Sequence, residues 1–166
     1  YEITCRDCSS DVCSSDLLDY LRWLLGYVDT ISASTSNIGL QLEVEDTADI
    51  ELRFLSGVLA NVHLDYLQRP GEHTLKIVGS EGTILWDNAT TTAKLYRAST
   101  GNWEEVSPPP GFERNAMFLD EMRHFISVAK KETEPLCTLE DGITALRMAQ
   151  AVYKSAQDGC LVKFTR

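Results

Sequence analysis

Residues 47–87 read TADIELRFLSGVLANVHLDYLQRPGEHTLKIVGSEGTILWD, and this stretch decides the fold. Apolar and polar residues alternate along it, which is typical of strands that bury one face. Ser56-Gly57 and the run 79–82 (GSEG) have the composition of turns between the alternating segments. The stretch therefore predicts strands at 47–55, 58–68, 74–78 and 83–86.

Weaker alternation continues on both sides of this stretch. It predicts a strand at 28–33 before a polar loop at 34–45, and strands at 90–97, 103–106 and 160–165 after it. Strands that follow one another in hairpins, separately from the helices, indicate an α+β fold. We expect an open, predominantly antiparallel sheet with helices packed on one face.

Three segments have the apolar spacing of helices. The first, 18–25, ends before Gly26, a residue suited to a helix C-cap. The second starts at Asn115, after the break made by residues 108–111 (PPPG), and we expect Pro135 to stop it. Thr138 and Asp141 predict a capping box for the third, which should end at Gly159 and bury Ala145, Ala149, Val152, Tyr153 and Ala156. All elements downstream of the sheet are expected to pack on it.

Residues 1–17 (YEITCRDCSSDVCSSDL) resemble a translated sequencing-library adapter. One frame of such an adapter reads Tyr-Glu-Ile, a few index-dependent residues, and Asp-Trp-Ser-Ser-Asp-Val-Cys-Ser-Ser-Asp-Leu; only Cys8 departs from it. We therefore interpret 1–17 as an artefact that takes no part in the fold, and 18–166 as the domain. The adapter also explains the spacing of the cysteines at 5, 8 and 13, so we expect no metal site.

Composition narrows the classes of partner. The 166 residues carry a formal net charge of −10, and leaving out the four acidic residues and one arginine of 1–17 gives −7. An acidic chain is a poor match for nucleic acid or an anionic membrane. The two remaining cysteines, Cys137 and Cys160, have no metal-binding spacing and fit a reducing, cytoplasmic location.

The strand at 58–68 supplies candidate binding residues. It places Asn61, His63 and Asp65 on one face. Such a row of donors and acceptors on a rigid strand could bind a sugar, but a solvated face or a subunit interface has the same composition. Tyr66 and Arg69, at the end of the strand, are either substrate contacts or ordinary loop residues.

Four runs, in this order and spacing, carry a resemblance that extends over 18–166: LDYLRWLLG at 18–26, EDTA at 45–48, GSEGT at 79–83, and the ending that starts with LEDG at 139–142. Together they resemble the C-terminal domain of the glucose-fructose oxidoreductase and inositol dehydrogenase family (Gfo/Idh/MocA). The resemblance implies a two-domain enzyme that uses NAD or NADP to oxidise or reduce a sugar, inositol or related polyol.

In that family an N-terminal Rossmann domain holds the cofactor, while the C-terminal sheet shapes the substrate pocket and commonly mediates dimerisation. This sequence has no G-x-G-x-x-G, so the resemblance implies that the cofactor domain is missing and that this chain binds no cofactor itself. It also implies a homo-oligomer formed through the sheet.

The family's signature Asp-x-Gly-x-His-x-x-Asp matches only in part. With its last residue at Asp19, the histidine, glycine and first aspartate fall at Asp16, Ser14 and Val12. Only Asp19 is carried over, as a supporting substrate residue, and its pairing with Arg22 in a helical ion pair is the alternative. We therefore expect a catalytically inactive fragment of a dehydrogenase. The rival hypothesis is a stand-alone carbohydrate-binding or oligomerisation module without redox activity.

Overall fold

The structure, a computed structural model, describes residues 2–5, 15–40 and 44–164. Val12 and Ser14, which occupy two of the signature positions, lie outside these residues. The helices are α1 Ser15–Leu25, α2 Arg114–Ala129 and α3 Leu139–Asp158. The strands are β1 Glu2–Cys5, β2 Val28–Ser36, β3 Thr47–Phe54, β4 Leu59–Asp65, β5 His73–Gly79, β6 Gly82–Asp87, β7 Thr92–Arg97, β8 Asn102–Val106 and β9 Val162–Lys163.

All these strands belong to one sheet, in the order β8-β7-β6-β5-β1-β4-β3-β2-β9. The pairing of β1 with β4 is parallel. Every other strand pair in the described part of the chain is antiparallel. The sheet is open, with β8 and β9 at its edges, so the predicted α+β class with a predominantly antiparallel sheet is confirmed.

Both predicted hairpin turns are present. At Ser56-Gly57 the Phe54 N–H donates to the Val58 carbonyl at 2.9 Å, and Gly57 has a φ of 86° that suits glycine. In the second turn Gly79 pairs with Gly82. A Cβ atom on Gly82 would lie 1.9 Å from the Tyr96 carbonyl oxygen on β7, so only glycine fits there.

Residues 2–5 and 15–17, which belong to the segment interpreted as an artefact, are part of the fold, contrary to our expectation. β1 lies between β4 and β5, so the stretch 47–87 does not form consecutive neighbouring strands. α1 begins at Ser15, and Leu17 is buried against the core. Backbone pairing depends little on side-chain identity, and Leu17 lies in helical phase with Leu21, so an unrelated segment can occupy these places. The adapter origin of 1–17 remains a prediction.

Several boundaries also differ from the prediction. β2 extends to Ser36 because it pairs with β3 along its full length. β4 stops at Asp65 instead of residue 68, since the Asp65 carboxylate accepts the backbone N–H groups of Leu67 and Gln68 and turns the chain. α2 ends at Ala129, well before Pro135. Of the predicted last strand, residue 165 lies outside the described residues, and within 160–164 only Val162–Lys163 pairs with β2.

The core lies between the sheet and a layer formed by α1 and α3, so these two helices cover one face as predicted. α3 buries Ala145, Ala149 and Val152, but Tyr153 is 39% exposed because it lies about 100° around the helix from Val152. No helix among the described residues has the length and apolar character to cross a membrane. The largest fully buried apolar side chains are Leu18, Leu21, Ile31, Leu52, Phe54, Val62, Met148 and Val152.

α2 does not share in this core. None of its residues is buried, and the stripe predicted to pack inward is open to solvent, with Phe118 57%, Met122 56% and Phe125 66% exposed. The expectation that every downstream element packs on the sheet is therefore wrong for α2. The helical period predicts which side of α2 is apolar, but not what that side contacts.

Candidate functional site

One end of the sheet brings together the loops that could shape a binding site. Here Ser36 at the end of β2 pairs with Thr47, and Thr47 pairs with Asp65 at the end of β4. Two loops leave this edge and therefore lie side by side. The first is described at 37–40 and 44–46, and the second at 66–72. We call this region the loop end; it includes the candidates Tyr66 and Arg69.

Asp46 organises the first of these loops. Its fully buried carboxylate accepts the N–H groups of Ile38 at 3.1 Å, Gly39 at 2.8 Å and Leu40 at 2.8 Å. The Thr47 hydroxyl donates to it at 3.1 Å. These donors, above all the amides of Leu40 and Gly39, lower the pKa of Asp46 to about 2. Sequence reasoning missed this role, although Asp46 lies in the EDTA run.

Asp65 organises the second loop. Its side chain is 9% exposed, and its Oδ1 accepts the Leu67 N–H at 2.6 Å as well as that of Gln68. Its Oδ2 lies 3.3 Å from His63 Nε2, and His63 Nδ1 lies 2.7 Å from Asp49 Oδ1. The sequence placed Asp65 on a polar strand face, but its contacts show that it mainly holds the loop end.

His63 and Asn61 lie on the sheet face opposite the helices. A shallow depression of about 670 Å³ opens on this face. Among the side chains that the structure describes, hydroxyl, carboxylate, amide, imidazole and ammonium groups on β2, β3, β4 and β5 line it, all suited to hydrogen bonds with a polyhydroxyl compound or a polar protein surface. They are Ser32, Ser34, Asp49, Glu51, Asn61, His63 and Lys76. The structure confirms that Asn61 and His63 share a polar face of the sheet, while the binding of a sugar there stays a prediction.

Asp19 lies in a separate pocket of about 510 Å³ on the helical side, beside Trp23, Tyr27 and Cys137. Arg22 Nη2 is 3.6 Å from Asp19 Oδ1 and also contacts Asp141 on α3. The ion pair predicted as the alternative for Asp19 is thus present.

Asp19, Arg22 and Asp141 form a charged cluster, in which Arg22 lies closer to Asp141 than to Asp19. Burial alone would lower the pKa of Arg22, but the hydrogen bond and charge of Asp141, with the charge of Asp19, outweigh it, so the pKa is raised. Hydrogen bonds from the hydroxyl and N–H of Thr138, and then from Arg22, lower the pKa of Asp141 to about 2. The cluster therefore joins α1 to the N-terminus of α3 as a charged pair.

The four candidates do not form one site. His63, Tyr66 and Arg69 follow one another along β4 and the loop after it, whereas Asp19 lies across the sheet on α1. The exposed Arg69 guanidinium donates to the carbonyl oxygens of Tyr66 and Gln68, both at 2.9 Å. Tyr66 packs partly buried against the edge of the core.

The described residues do not fit a dinucleotide or a metal ion. No βαβ unit with a glycine-rich turn occurs among them, and the first turn of α3 is closed by its own capping box of Thr138 and Asp141. In the same part of the chain no three His, Cys, Asp or Glu residues are grouped for a metal. Partial loss of solvent around the Cys137 sulfur, followed by the charges of Asp19 and Asp141, raises the pKa of this thiol, so less of it is present as the nucleophilic thiolate.

Comparison with known proteins gives a family match over most of the chain. A family model described as "Oxidoreductase family, C-terminal alpha/beta domain" (GFO_IDH_MocA_C) matches residues 10–164. D-apiose dehydrogenase from Paraburkholderia graminis is 27% identical over 159 residues, which cover 89% of this chain and 42% of that protein. Myo-inositol 2-dehydrogenase from Thermotoga maritima is 29% identical over 153 residues, which cover 87% of this chain and 46% of that protein. The chain spans less than half the length of these curated relatives.

Solved structures show the same fold. Levoglucosan dehydrogenase in complex with NADH has a TM-score of 0.83 to this chain at 17% identity, covering 99% of this chain and 58% of that one. An oxidoreductase from Agrobacterium radiobacter, solved with NAD+, L-tartaric acid and magnesium, has a TM-score of 0.80 at 20% identity. The match covers 98% of this chain and 55% of that one. At these identities the likeness concerns the fold alone.

Proposed function

Because this chain belongs to the Gfo/Idh/MocA oxidoreductase family, as its C-terminal alpha/beta domain, we propose that it is the substrate-binding and dimerisation domain of a NAD(P)-dependent oxidoreductase acting on a sugar, inositol or related polyol. The observation that carries the proposal is the family match over 10–164, in a chain whose described residues hold no dinucleotide-binding unit. The names of two relatives, D-apiose dehydrogenase and myo-inositol 2-dehydrogenase, support the substrate class. We place the protein in the cytoplasm, since Cys137 and Cys160 are free thiols.

The proposal separates binding from redox chemistry. NAD or NADP, held by another part of the longer protein, would accept or supply the hydride. This chain would bind and orient the polyol. Asp16 takes the place of the signature histidine and is exposed in the first turn of α1, where its carboxylate is a poor substitute for an imidazole general base. We therefore propose that the chain alone transfers no hydride.

The loop end is the part of the chain best suited to hold a polyol. A sugar is recognised by several donors and acceptors that are already fixed in place. Two buried carboxylates provide that fixation: Asp46 holds the first loop, and Asp65 holds the second loop, which carries Tyr66 and Arg69. Arg69 is exposed and can turn some of its five N–H donors toward a hydroxyl group.

The test is an NMR titration of the 166-residue chain with myo-inositol, D-apiose and levoglucosan. We expect at least one of them to shift the amide signals of 66–69 at millimolar concentration. Arg69→Ala should weaken that binding by about 10-fold or more, because hydrogen bonds to a charged group contribute about 1.5–3 kcal/mol. Arg97→Ala, at another exposed arginine that pairs with Glu104 on β8, should leave binding unchanged. Absence of binding by all three compounds would contradict a substrate-binding role.

The depression around His63 favours a second candidate, a carbohydrate-binding or oligomerisation module without redox activity. Its polar lining spans β2 to β5 and involves neither α1 nor the loop after β4. The same titration separates the two functions. Shifts confined to Asn61, His63 and their neighbours on the open face, with 66–69 unchanged, would support the module and oppose the substrate domain.

A further inference from the structure

Asp46 connects the two loops of the loop end. Its side chain accepts the N–H groups of 38–40 in the first loop. Its backbone carbonyl accepts the N–H of Tyr66, the first residue of the second loop, at 3.0 Å. Its own N–H donates to the Ser36 carbonyl at 3.0 Å, so the residue is also anchored to β2. One buried residue thus fixes both loops relative to the sheet.

The two loops are also in tight contact with each other. A Cβ atom built on Gly39 would lie 2.4 Å from Leu67 Cδ2 and 2.7 Å from Leu67 Cδ1. The Leu67 backbone is held in place, because its N–H donates to the buried Asp65 carboxylate at 2.6 Å, while the end of its side chain fills the space beside Gly39. We therefore expect a displacement of 38–40 to change the packing of Leu67 in the second loop.

We propose that Asp46 is the positioning residue of the substrate pocket: by holding 38–40 against Leu67 it sets the position of the loop that carries Tyr66 and Arg69. Asp46 itself touches no substrate and acts through these loops. The proposal deepens the proposed function and rests on it, since it names the device that would shape the pocket of that domain.

A carboxylate is the group that this position requires. The three amides and the Thr47 hydroxyl all donate, and an ionised carboxylate can accept every one of these bonds on its two oxygens. Asparagine has the same shape, but its NH2 group would face a backbone N–H, leaving buried donors without acceptors. Asp46→Asn therefore removes the function of the side chain with little change in volume.

The test is hydrogen–deuterium exchange on the whole chain. Asp46→Asn should increase exchange at 38–40 and, through the coupling, at 66–68, by about 10-fold or more in both loops. The matched control is Asp87→Asn, another aspartate whose carboxylate accepts a backbone N–H, that of Ala89 at 2.8 Å. It should change exchange only in its own turn. Faster exchange at 38–40 with 66–68 unchanged would overturn the proposal.

A second pair of variants keeps the test valid if Asp46→Asn fails to fold. Gly39→Ala should push Leu67 aside and increase exchange at 66–68, although Gly39 belongs to the other loop. Leu67→Ala makes room for the added methyl group, so the double variant should regain the protection that Leu67→Ala alone shows. If Gly39→Ala leaves 66–68 unchanged, the two loops are not coupled and the proposal is wrong.

Titration with myo-inositol, D-apiose and levoglucosan separates this proposal from the proposed function. If the unmodified chain binds one of these probes, Asp46→Asn should weaken that binding about 10-fold and Asp87→Asn should not. Equal affinity of Asp46→Asn and the unmodified chain would overturn the positioning role. If the unmodified chain binds none, the proposed function fails, while the exchange data alone still decide whether Asp46 positions the second loop.

Discussion

At the scale of single residues, three aspartates hold the irregular parts of the chain. Asp141 closes the capping box with Thr138, and the sequence predicted it because its partner is three residues away. Asp46 accepts backbone N–H groups six to eight residues away, in a loop without a regular pattern, so no local signal predicts its role. Strand alternation predicts that Asp65 shares a face with Asn61 and His63, but the backbone N–H groups that it binds depend on where β4 ends. Short-range chemistry can be predicted from sequence, whereas loop closure depends on the folded chain.

Asp141 should make stability depend on pH in the acid range. Its pKa in the folded state is about 2, below the value of about 3.9 expected for an unfolded chain. The stability from its ionised form is therefore complete above about pH 4 and is lost as the pH falls through 2. Asp141→Asn should be less stable at pH 7 and lose less further stability between pH 4 and 2 than the unmodified chain, in urea unfolding measured at several pH values.

Glu140→Gln is the control, because it removes a neighbouring carboxylate from the same helical turn without breaking the capping box. It should keep the acid dependence of the unmodified chain. The variant Asp141→Asn will retain part of that dependence through Asp46, whose pKa is lowered for a similar reason. A full-sized loss of stability between pH 4 and 2 in Asp141→Asn would contradict the assignment to Asp141.

At the scale of elements, α1 and α2 both carry apolar residues at helical spacing but have different surroundings. α1 buries Leu17, Leu18 and Leu21, whereas α2 buries no residue. The period of a helix reveals its apolar side, but coverage of that side depends on the path of the chain after residues 108–111. Helices gain most of their stability from packing, so α2 is the least supported of the three helices.

The apolar side of α2 should bind a hydrophobic dye. We expect the double substitution Phe118→Ser and Phe125→Ser to reduce ANS fluorescence by about half or more. Because both side chains are exposed, the free energy of unfolding should change by no more than about 1 kcal/mol.

A buried leucine provides the comparison for the α2 variant. Leu21→Ala removes a side chain with 0% exposure and should cost about 2–5 kcal/mol in the same unfolding assay. A loss of this size from the α2 double variant would show that the helix packs against the core in solution.

At the scale of the whole molecule, the sheet has one face under α1 and α3 and one open polar face. The fold class, the hairpins and the packing of helices on one face of the sheet were predictable, because they follow from local alternation, helical spacing and turn residues. The strand order was not, since the place of β1 depends on pairing with strands far away in the sequence. The separation of Asp19 from His63 has the same origin, as it follows from the packing of α1 on the other face.

The open face should join two copies of the chain. On β2 to β5 it carries the polar lining of the depression around His63, which no described helix covers. We expect light scattering at about 10 μM to give twice the 18.5 kDa mass of one chain. Placing arginines at Ser32 and Asn61 should raise the dimer dissociation constant about 10-fold or more. Gln150→Arg, at an exposed residue of α3, should not. A monomer of the unmodified chain at this concentration would contradict the dimer.

The position of β1 divides the sheet into two parts with different folding requirements. β2, β3 and β4 form one set of strands, and β5 to β8 form another, each built from hairpins that connect neighbours in the sequence. The described strands join these sets only through β1, where Glu2 pairs with Asn61 and Cys5 pairs with His73. Hairpins close short loops, whereas this joint closes loops of dozens of residues and carries a greater entropic cost. Cooperativity between the two halves of the sheet thus depends on the four residues that enter it from the beginning of the chain.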